Sequence, residues 1–251
     1  MSVYCASDWH GCYWVWEKAK EILKSDDTLY FLGDAADRGL DGWKLIKELL
    51  ADPRVIYIKG NHEDLMIEAI GKFNPEEEDS LWNADTTLWH YNGGDPTYDA
   101  FLLDEDNFGK AKILKQIKEL PFCANYINKN NQQIFLCHAG CDGVDIDNLD
   151  QYNAIWNREH WRFPDEWSGE DNQIIVHGHT PIDLMIEEQR DTARFYKNRF
   201  KVDMPKWTPG TAYWYAKGHK VCIDFGTVWD KIAVLLNLDT FEEIYINEKY
   251  V

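Results

Sequence analysis

Residues 7–11 read Ser7-Asp8-Trp9-His10-Gly11, and an apolar run, Val3-Tyr4-Cys5-Ala6, leads straight into them. A carboxylate and an imidazole at the end of a strand suit a divalent cation that takes mixed oxygen and nitrogen ligands. Asp8 also suits a plain helix cap, because an amphipathic stretch follows it. Four further apolar runs end the same way, in Gly33-Asp34-Ala35-Ala36-Asp37-Arg38-Gly39, in Gly60-Asn61-His62-Glu63, in His138-Ala139-Gly140 and in His177-Gly178-His179-Thr180-Pro181. Five of the chain's eight histidines sit in these loops. One such loop could be an ordinary turn. Five of them, all bearing metal-ligand side chains, point to one shared cation site.

Those side chains need elements that bring the loops together. Strand-like runs at 2–7, 27–32 and 54–58 alternate with helical spacing at 12–25, at 41–51 and from about 64 onward. A β-α-β-α-β-α order implies parallel strands and an α/β fold, in which ligands bind beyond the carboxyl ends of the strands. Residues 73–120 are polar and helix-rich, with a turn at Asn92-Gly93-Gly94. Further strands are expected near 122–127, 133–137, 174–176 and 221–225, and across 231–247 with a turn inside. Residues 184–220 read as irregular and rich in aromatics and arginine, among them Arg190, Arg194, Arg199, Phe200, Trp207, Tyr213 and Tyr215. They are either an added helix or hairpin that buries its own rings, or a wall of a substrate groove that sets specificity. Repeats and linkers are lacking, so a single domain over 1–251 is expected.

The 251 residues carry a formal net charge of -18, which argues against general nucleic-acid binding, since that needs a basic face. With 45% hydrophobic residues the chain can build a core. Its six cysteines are scattered without a CxxC pair, and neither a signal core nor a membrane-length apolar stretch is found. A reduced, cytoplasmic protein with no membrane contact is expected. A phosphate-cradling GxxxxGK loop and a serine nucleophile elbow are both missing.

Taken in order, SDWHG, GDAADRG, GNHE, HAG and GHT resemble the signature loops of the phosphoprotein phosphatase branch of the calcineurin-like metallophosphoesterases. The likeness is greatest to the lambda-phosphatase-like prokaryotic and phage serine/threonine phosphatases. These also carry an NGG turn after a tryptophan-bearing helix and a WNRE segment, here Trp89 to Gly94 and Trp156-Asn157-Arg158-Glu159. Ser7, Ala36 and Ala139 depart from the usual Gly, Val and Gly, and none of them is a ligand position.

The resemblance implies a two-sheet β-sandwich flanked by helices (α/β/β/α) and two divalent ions, most readily manganese, with iron or zinc open. Asp8, His10 and Asp34 would hold one ion; Asp34, Asn61, His138 and His179 would hold the other. A hydroxide shared by the ions would attack phosphorus in line. His62 would protonate the leaving oxygen and Asp37 would orient it, unless Asp37 is only a turn acid paired with Arg38. Arg38 and Arg158 would grip the phosphoryl oxygens, unless Arg158 is a surface ion pair with Glu159 or Asp165. His177 is expected behind the ligands rather than among them. The implied substrate is a phosphomonoester, in a phosphoprotein or a small molecule. The other readings are a dinucleoside polyphosphate hydrolase or phosphodiesterase, and a catalytically silent scaffold. The dinucleoside tetraphosphate branch typically has Asp where this chain has Glu63, which tilts the reading toward the phosphatases.

Overall fold

A two-residue alternation along the strands decides the architecture of the computed structural model, which describes residues 1–77, 80–81, 84–143, 148–163, 165–196 and 206–248. The first sheet joins β1 (Val3–Ala6), β2 (Thr28–Phe31) and β3 (Val55–Tyr57) to β9 (Ile232–Asn237) and β10 (Glu243–Asn247), in the order β10-β9-β1-β2-β3. The second joins β4 (Cys123–Ile127), β5 (Gln133–Cys137), β6 (Gln173–His177), β7 (Tyr213–Tyr215) and β8 (Lys220–Cys222), in the order β4-β5-β6-β8-β7. In the first sheet β1, β2 and β3 run parallel; in the second β5, β6 and β8 do. Alternate residues of the two sheets meet. Val3, Cys5, Val234 and Leu236 pack against Ile134, Leu136, Ile174, Val176 and Val221 in one buried cluster.

The intervening residues face outward onto helices. Leu29, Phe31, Ala233 and Leu235 share a cluster with side chains of α1 (Tyr13–Ile22), α2 (Gly42–Ala51), α3 (Asn61–Ile70), α4 (Thr87–Tyr91), α5 (Asp95–Leu103) and α6 (Asn107–Lys118). Across the second sheet, Phe135, Cys137 and Ile175 pack on Ala154 and Ile155 of α7 (Gln151–Trp156). The α/β sandwich flanked by helices is therefore as expected. All six cysteines are free thiols. No helix among the described residues is long and apolar enough to cross a membrane.

The stretch 184–220 differs from its expected irregularity. A helix, α8 (Ile182–Tyr196), fills its first part, and β7 adds an edge strand to the second sheet. The buried residues of α8 are Ile182, Met185, Ile186, Gln189 and Ala193, a helical stripe with a polar residue at its centre. Gln189 earns that place by bonding both ways: its Nε2 donates to Trp161 O at 2.6 Å, and its Oε1 accepts from Tyr213 Oη at 2.7 Å. Arg199 and Phe200 lie outside the described residues. A short helical turn, α9 (Thr227–Asp230), completes the elements used below.

Burial between the sheets predicts the stability cost of truncation. Leu236 is 0% exposed and Leu88 is 57% exposed. Leu236→Ala should lower unfolding free energy in urea by about 2–5 kcal/mol, and Leu88→Ala by less than about 0.5 kcal/mol. Similar losses for the two would contradict the packing described.

Candidate metal centre

Because β1 and β2 are parallel neighbours, their loops leave side by side. Backbone bonds lock them together: Asp8 N donates to Gly33 O (3.1 Å), His10 N to Asp34 O (2.9 Å) and Gly11 N to Ala35 O (2.8 Å). The turns needed are sharp. Asp8, His10, Asp34, Asp37, Arg38 and His179 have φ of 57°, 39°, 60°, 72°, 64° and 70°, in the left-handed region. Asp and His enter that region more readily than most residues, but each still costs roughly 1–3 kcal/mol. Such a concentration of strain belongs to a site whose surroundings over-determine it.

Glu63 supplies much of that constraint. Its carboxylate is fully buried in the first turn of α3. Oε2 accepts from Asp34 N (2.8 Å) and Gly60 N (3.0 Å); Oε1 accepts from Ala35 N (2.9 Å), Ala36 N (3.3 Å) and Tyr57 Oη (2.9 Å). One side chain thus ties the loop after β2 to the loop after β3. Burial and the nearby Asp34 push its pKa up, while the donors favour its charge. Gly60 has no room for a side chain, because a Cβ there would collide with Asp34 Oδ1.

The Asp34 carboxylate stands at the middle of the cluster these loops form. Its Oδ2 is 3.4 Å from His138 Nε2, 3.6 Å from His10 Nε2 and 3.8 Å from His62 Nε2. Asn61 Oδ1 is 2.9 Å from His138 Nε2 and 2.8 Å from His179 Nδ1. Two groups have ligand atoms all within 4.8 Å of one another, His10-Asp34-His62 and Asp34-His138-His179, and Asp34 is common to both. Asp8 lies alongside, 4.0 Å from His10 Nε2. Its Oδ2 accepts from Ser7 Oγ and from His179 N (3.0 Å), while its buried Oδ1 has no hydrogen-bond partner.

These residues fit a pair of divalent cations. The donors are carboxylate, amide and imidazole, with the orphaned Asp8 Oδ1 as an unspent lone-pair donor. His10 Nδ1 donates to Ala36 O (2.9 Å) and His138 Nδ1 to Leu32 O (2.7 Å), which leaves both Nε2 lone pairs facing the cluster. Burial, aided by the Arg38 charge, holds His10 well below the usual imidazole range; burial and the His138 charge do the same to His179. Burial opposes charge on His138 too, yet Asp34 and Asp8 outweigh it and push that ring up to about 10. The carboxylates therefore draw positive charge into the site.

A second layer of side chains adjoins the cluster. His62 Nδ1 bonds Asp37 Oδ2 at 2.7 Å. Burial disfavours charge on His62, but Asp34 and Asp37 prevail and raise its pKa. Asp37 is fully buried, not a surface turn acid; Trp89 Nε1 donates to its Oδ2 (2.8 Å), and its backbone N donates to Thr97 Oγ1 (2.8 Å). Arg38 reaches His10 Nε2 with Nη1 (2.6 Å) and His62 Nε2 with Nη2 (3.0 Å). Arg158 Nε donates to His179 Nε2 at 3.1 Å, while Glu159 pairs instead with Arg162.

All ten proposed site residues thus converge. His177 does not join them: its Nε2 meets Tyr215 Oη (2.8 Å) and its Nδ1 meets Gly178 O (3.0 Å). Sequence reasoning gave no role to Ser7 or Thr97, and gave Tyr215 only as one of the aromatics of 184–220. Ser7 carried a signal as a departure from the usual glycine.

The sequence profile described as calcineurin-like phosphoesterase matches residues 1–205, and the chain belongs to that family. The fold and the cluster are those of a metallophosphoesterase, a hydrolase class that works with a dinuclear divalent metal centre. The asymmetrical bis(5'-nucleosyl)-tetraphosphatase PrpE of Anoxybacillus flavithermus is 24% identical, over 70% of this chain and 77% of its own length. A symmetrical bis(5'-nucleosyl)-tetraphosphatase of Buchnera aphidicola is 28% identical, over 61% of this chain and half of its own length. Among solved structures, a proposed diadenosine tetraphosphatase superimposes with a TM-score of 0.60 at 15% identity, covering 98% of this chain and 92% of that one. A metallophosphoesterase from Sphaerobacter thermophilus gives 0.52 at 14% identity, covering 98% and 87%.

Glu63→Gln keeps the shape of the buried hub but turns one acceptor into a donor facing backbone N–H groups. We expect a stability loss of about 1.5–3 kcal/mol in urea unfolding, together with weaker metal-dependent hydrolysis. A variant unchanged in both would contradict the role assigned to Glu63.

Proposed function

We propose that this chain is a phosphomonoester hydrolase that removes phosphate from serine or threonine in polypeptides, as the lambda-phosphatase-like enzymes do. The observation that carries the reading is the His62–Asp37 pair, bonded at 2.7 Å beside Asp34 and Arg38. A scaffold that only bound phosphate would have no use for a buried acid of this kind.

In this reading Asp8, His10 and Asp34 would hold one divalent ion, and Asp34, Asn61, His138 and His179 would hold the other. Such a pair, when bound, supplies an activated water and neutralises the phosphoryl oxygens. Manganese is the proposed activator, and iron or zinc suit the same donors. The chain's own groups do the rest. The guanidinium forks of Arg38 and Arg158 match two phosphoryl oxygens at once. With Nδ1 held by Asp37, His62 would turn Nε2, which lies 3.0 Å from Arg38 Nη2, to the leaving oxygen as its acid. The Asp34 and Asp37 charges favour the protonated ring. Trp89 and Thr97 hold Asp37 where His62 needs it. The six free thiols support a reduced, cytoplasmic setting.

The names of the curated relatives favour a second reading, hydrolysis of dinucleoside polyphosphates. Two features keep it second. The net charge of -18 opposes a polyanionic substrate, and Glu63 stands where that branch typically has Asp. A manganese-supplemented assay of a phosphoserine peptide beside a dinucleoside tetraphosphate separates the two. We expect the peptide to show the higher kcat/KM, and the reverse order would reassign the enzyme.

Replacing the acid should slow the step it assists. His62→Asn should reduce turnover of an alkyl phosphate by roughly 10²–10⁴, and much less for an aryl phosphate whose leaving group needs little protonation. Equal losses on the two substrates would remove His62 from the acid role.

A further inference from the structure

Beside the metal cluster lies a cavity of about 230 Å³. Pro181, Ile182 and Asp183 form one side, Phe225, Asp230 and Ile232 another, and Trp207, Pro209 and Gly210 close it. Two connections place it next to the site. Pro181 is two residues beyond His179, a span of at most ~7 Å of extended chain. Asp230 follows Trp229 in α9, and the Trp229 ring lies 5.2 Å from the Arg38 guanidinium.

The lining has a distinct chemistry. Two aromatic rings, Trp207 and Phe225, are combined with two carboxylates, Asp183 and Asp230, and among the described residues no basic side chain lines the wall. Asp183 and Asp230 are both exposed. Their field repels a phosphate or a nucleotide tail. An ammonium or guanidinium gains from the carboxylates and again from the ring faces. The cavity is also where residues 184–220 approach the site. Tyr213 and Tyr215 from that stretch are buried within the sandwich, whereas Trp207 is only partly buried and lines the cavity.

We propose that this cavity receives a lysine or arginine side chain of the phosphorylated polypeptide, within about three residues of the phosphorylated one at ~3.3 Å per extended residue. This rests on the polypeptide phosphatase reading above and refines it: the enzyme selects basic flanking sequence. It also gives the acidic surface a purpose, since a basic peptide is drawn toward a chain of charge -18.

The test uses the full manganese-loaded chain and phosphoserine peptides that differ only in one neighbouring residue, lysine, alanine or glutamate, walked through successive positions. A small aryl phosphate and a dinucleoside tetraphosphate complete the panel. At one position lysine should raise kcat/KM over alanine by roughly tenfold, the scale of a cation–π contact combined with ion pairing, and glutamate should lower it. The double variant Asp183→Asn, Asp230→Asn should erase that preference and leave aryl phosphate hydrolysis as in the parent. Asp230→Asn alone should reduce it in part, which guards against a fold defect in the double variant. Peptides cleaved equally well whatever their flanking charge, or a preference that survives the double variant, would overturn the cavity assignment while leaving the phosphatase reading intact. Cleavage of the aryl phosphate or the tetraphosphate with no peptide cleaved would overturn that reading and this proposal with it.

Discussion

A single buried carboxylate, that of Glu63, holds the site's loops in the shape the chemistry needs. It accepts four backbone N–H groups, from Asp34, Ala35, Ala36 and Gly60, and the Tyr57 hydroxyl. A charged group with no solvent is costly unless its lone pairs are filled, and here five donors fill them. In return the loop after β2 is pinned with Asp34, Asp37 and Arg38 in left-handed backbone. That conformation turns Asp34 toward the imidazoles and brings Asp37 under His62. The strain of the active loop and the buried charge of Glu63 are thus one construction.

Charge is distributed in the molecule on two scales. The chain as a whole carries a formal net charge of -18. Within the site, Arg38 and Arg158 meet the histidines directly. A phosphoryl group bound there passes from a repulsive field into an attractive one over a short distance.

The loops themselves were legible in the sequence because each is a short run of residues with one chemistry. Asp8 with His10, Asp34 with Asp37 and Asn61 with His62 sit within three positions of each other, and parallel strands carry neighbouring loops to one edge. The parallel strands followed from the β-α-β-α-β-α order of the first third, and the two-sheet sandwich from the resemblance of the loops. Contacts set by tertiary packing were not legible. Thr97 meets Asp37 across 60 positions, and no local pattern announces it. An added helix or hairpin was one of the readings of 184–220, but the bounds of α8 were not legible, because a glutamine, satisfied by Trp161 and Tyr213, interrupts its apolar stripe. Glu63 was visible only as a branch marker, since an acid in the first turn of a helix is ordinary. His177 was expected behind the ligands, and Tyr215 and Gly178 occupy its two nitrogens.

In the proposed function Asp34 would be shared by two cations, as its place in both candidate groups allows. Anomalous diffraction at the manganese edge, on crystals of the metal-loaded chain, measures this directly. We expect two peaks flanking the Asp34 carboxylate, one bounded by Asp8 and His10 and the other by Asn61, His138 and His179. A single peak, or two peaks with His62 Nε2 rather than Asp8 as a ligand of the first, would contradict it.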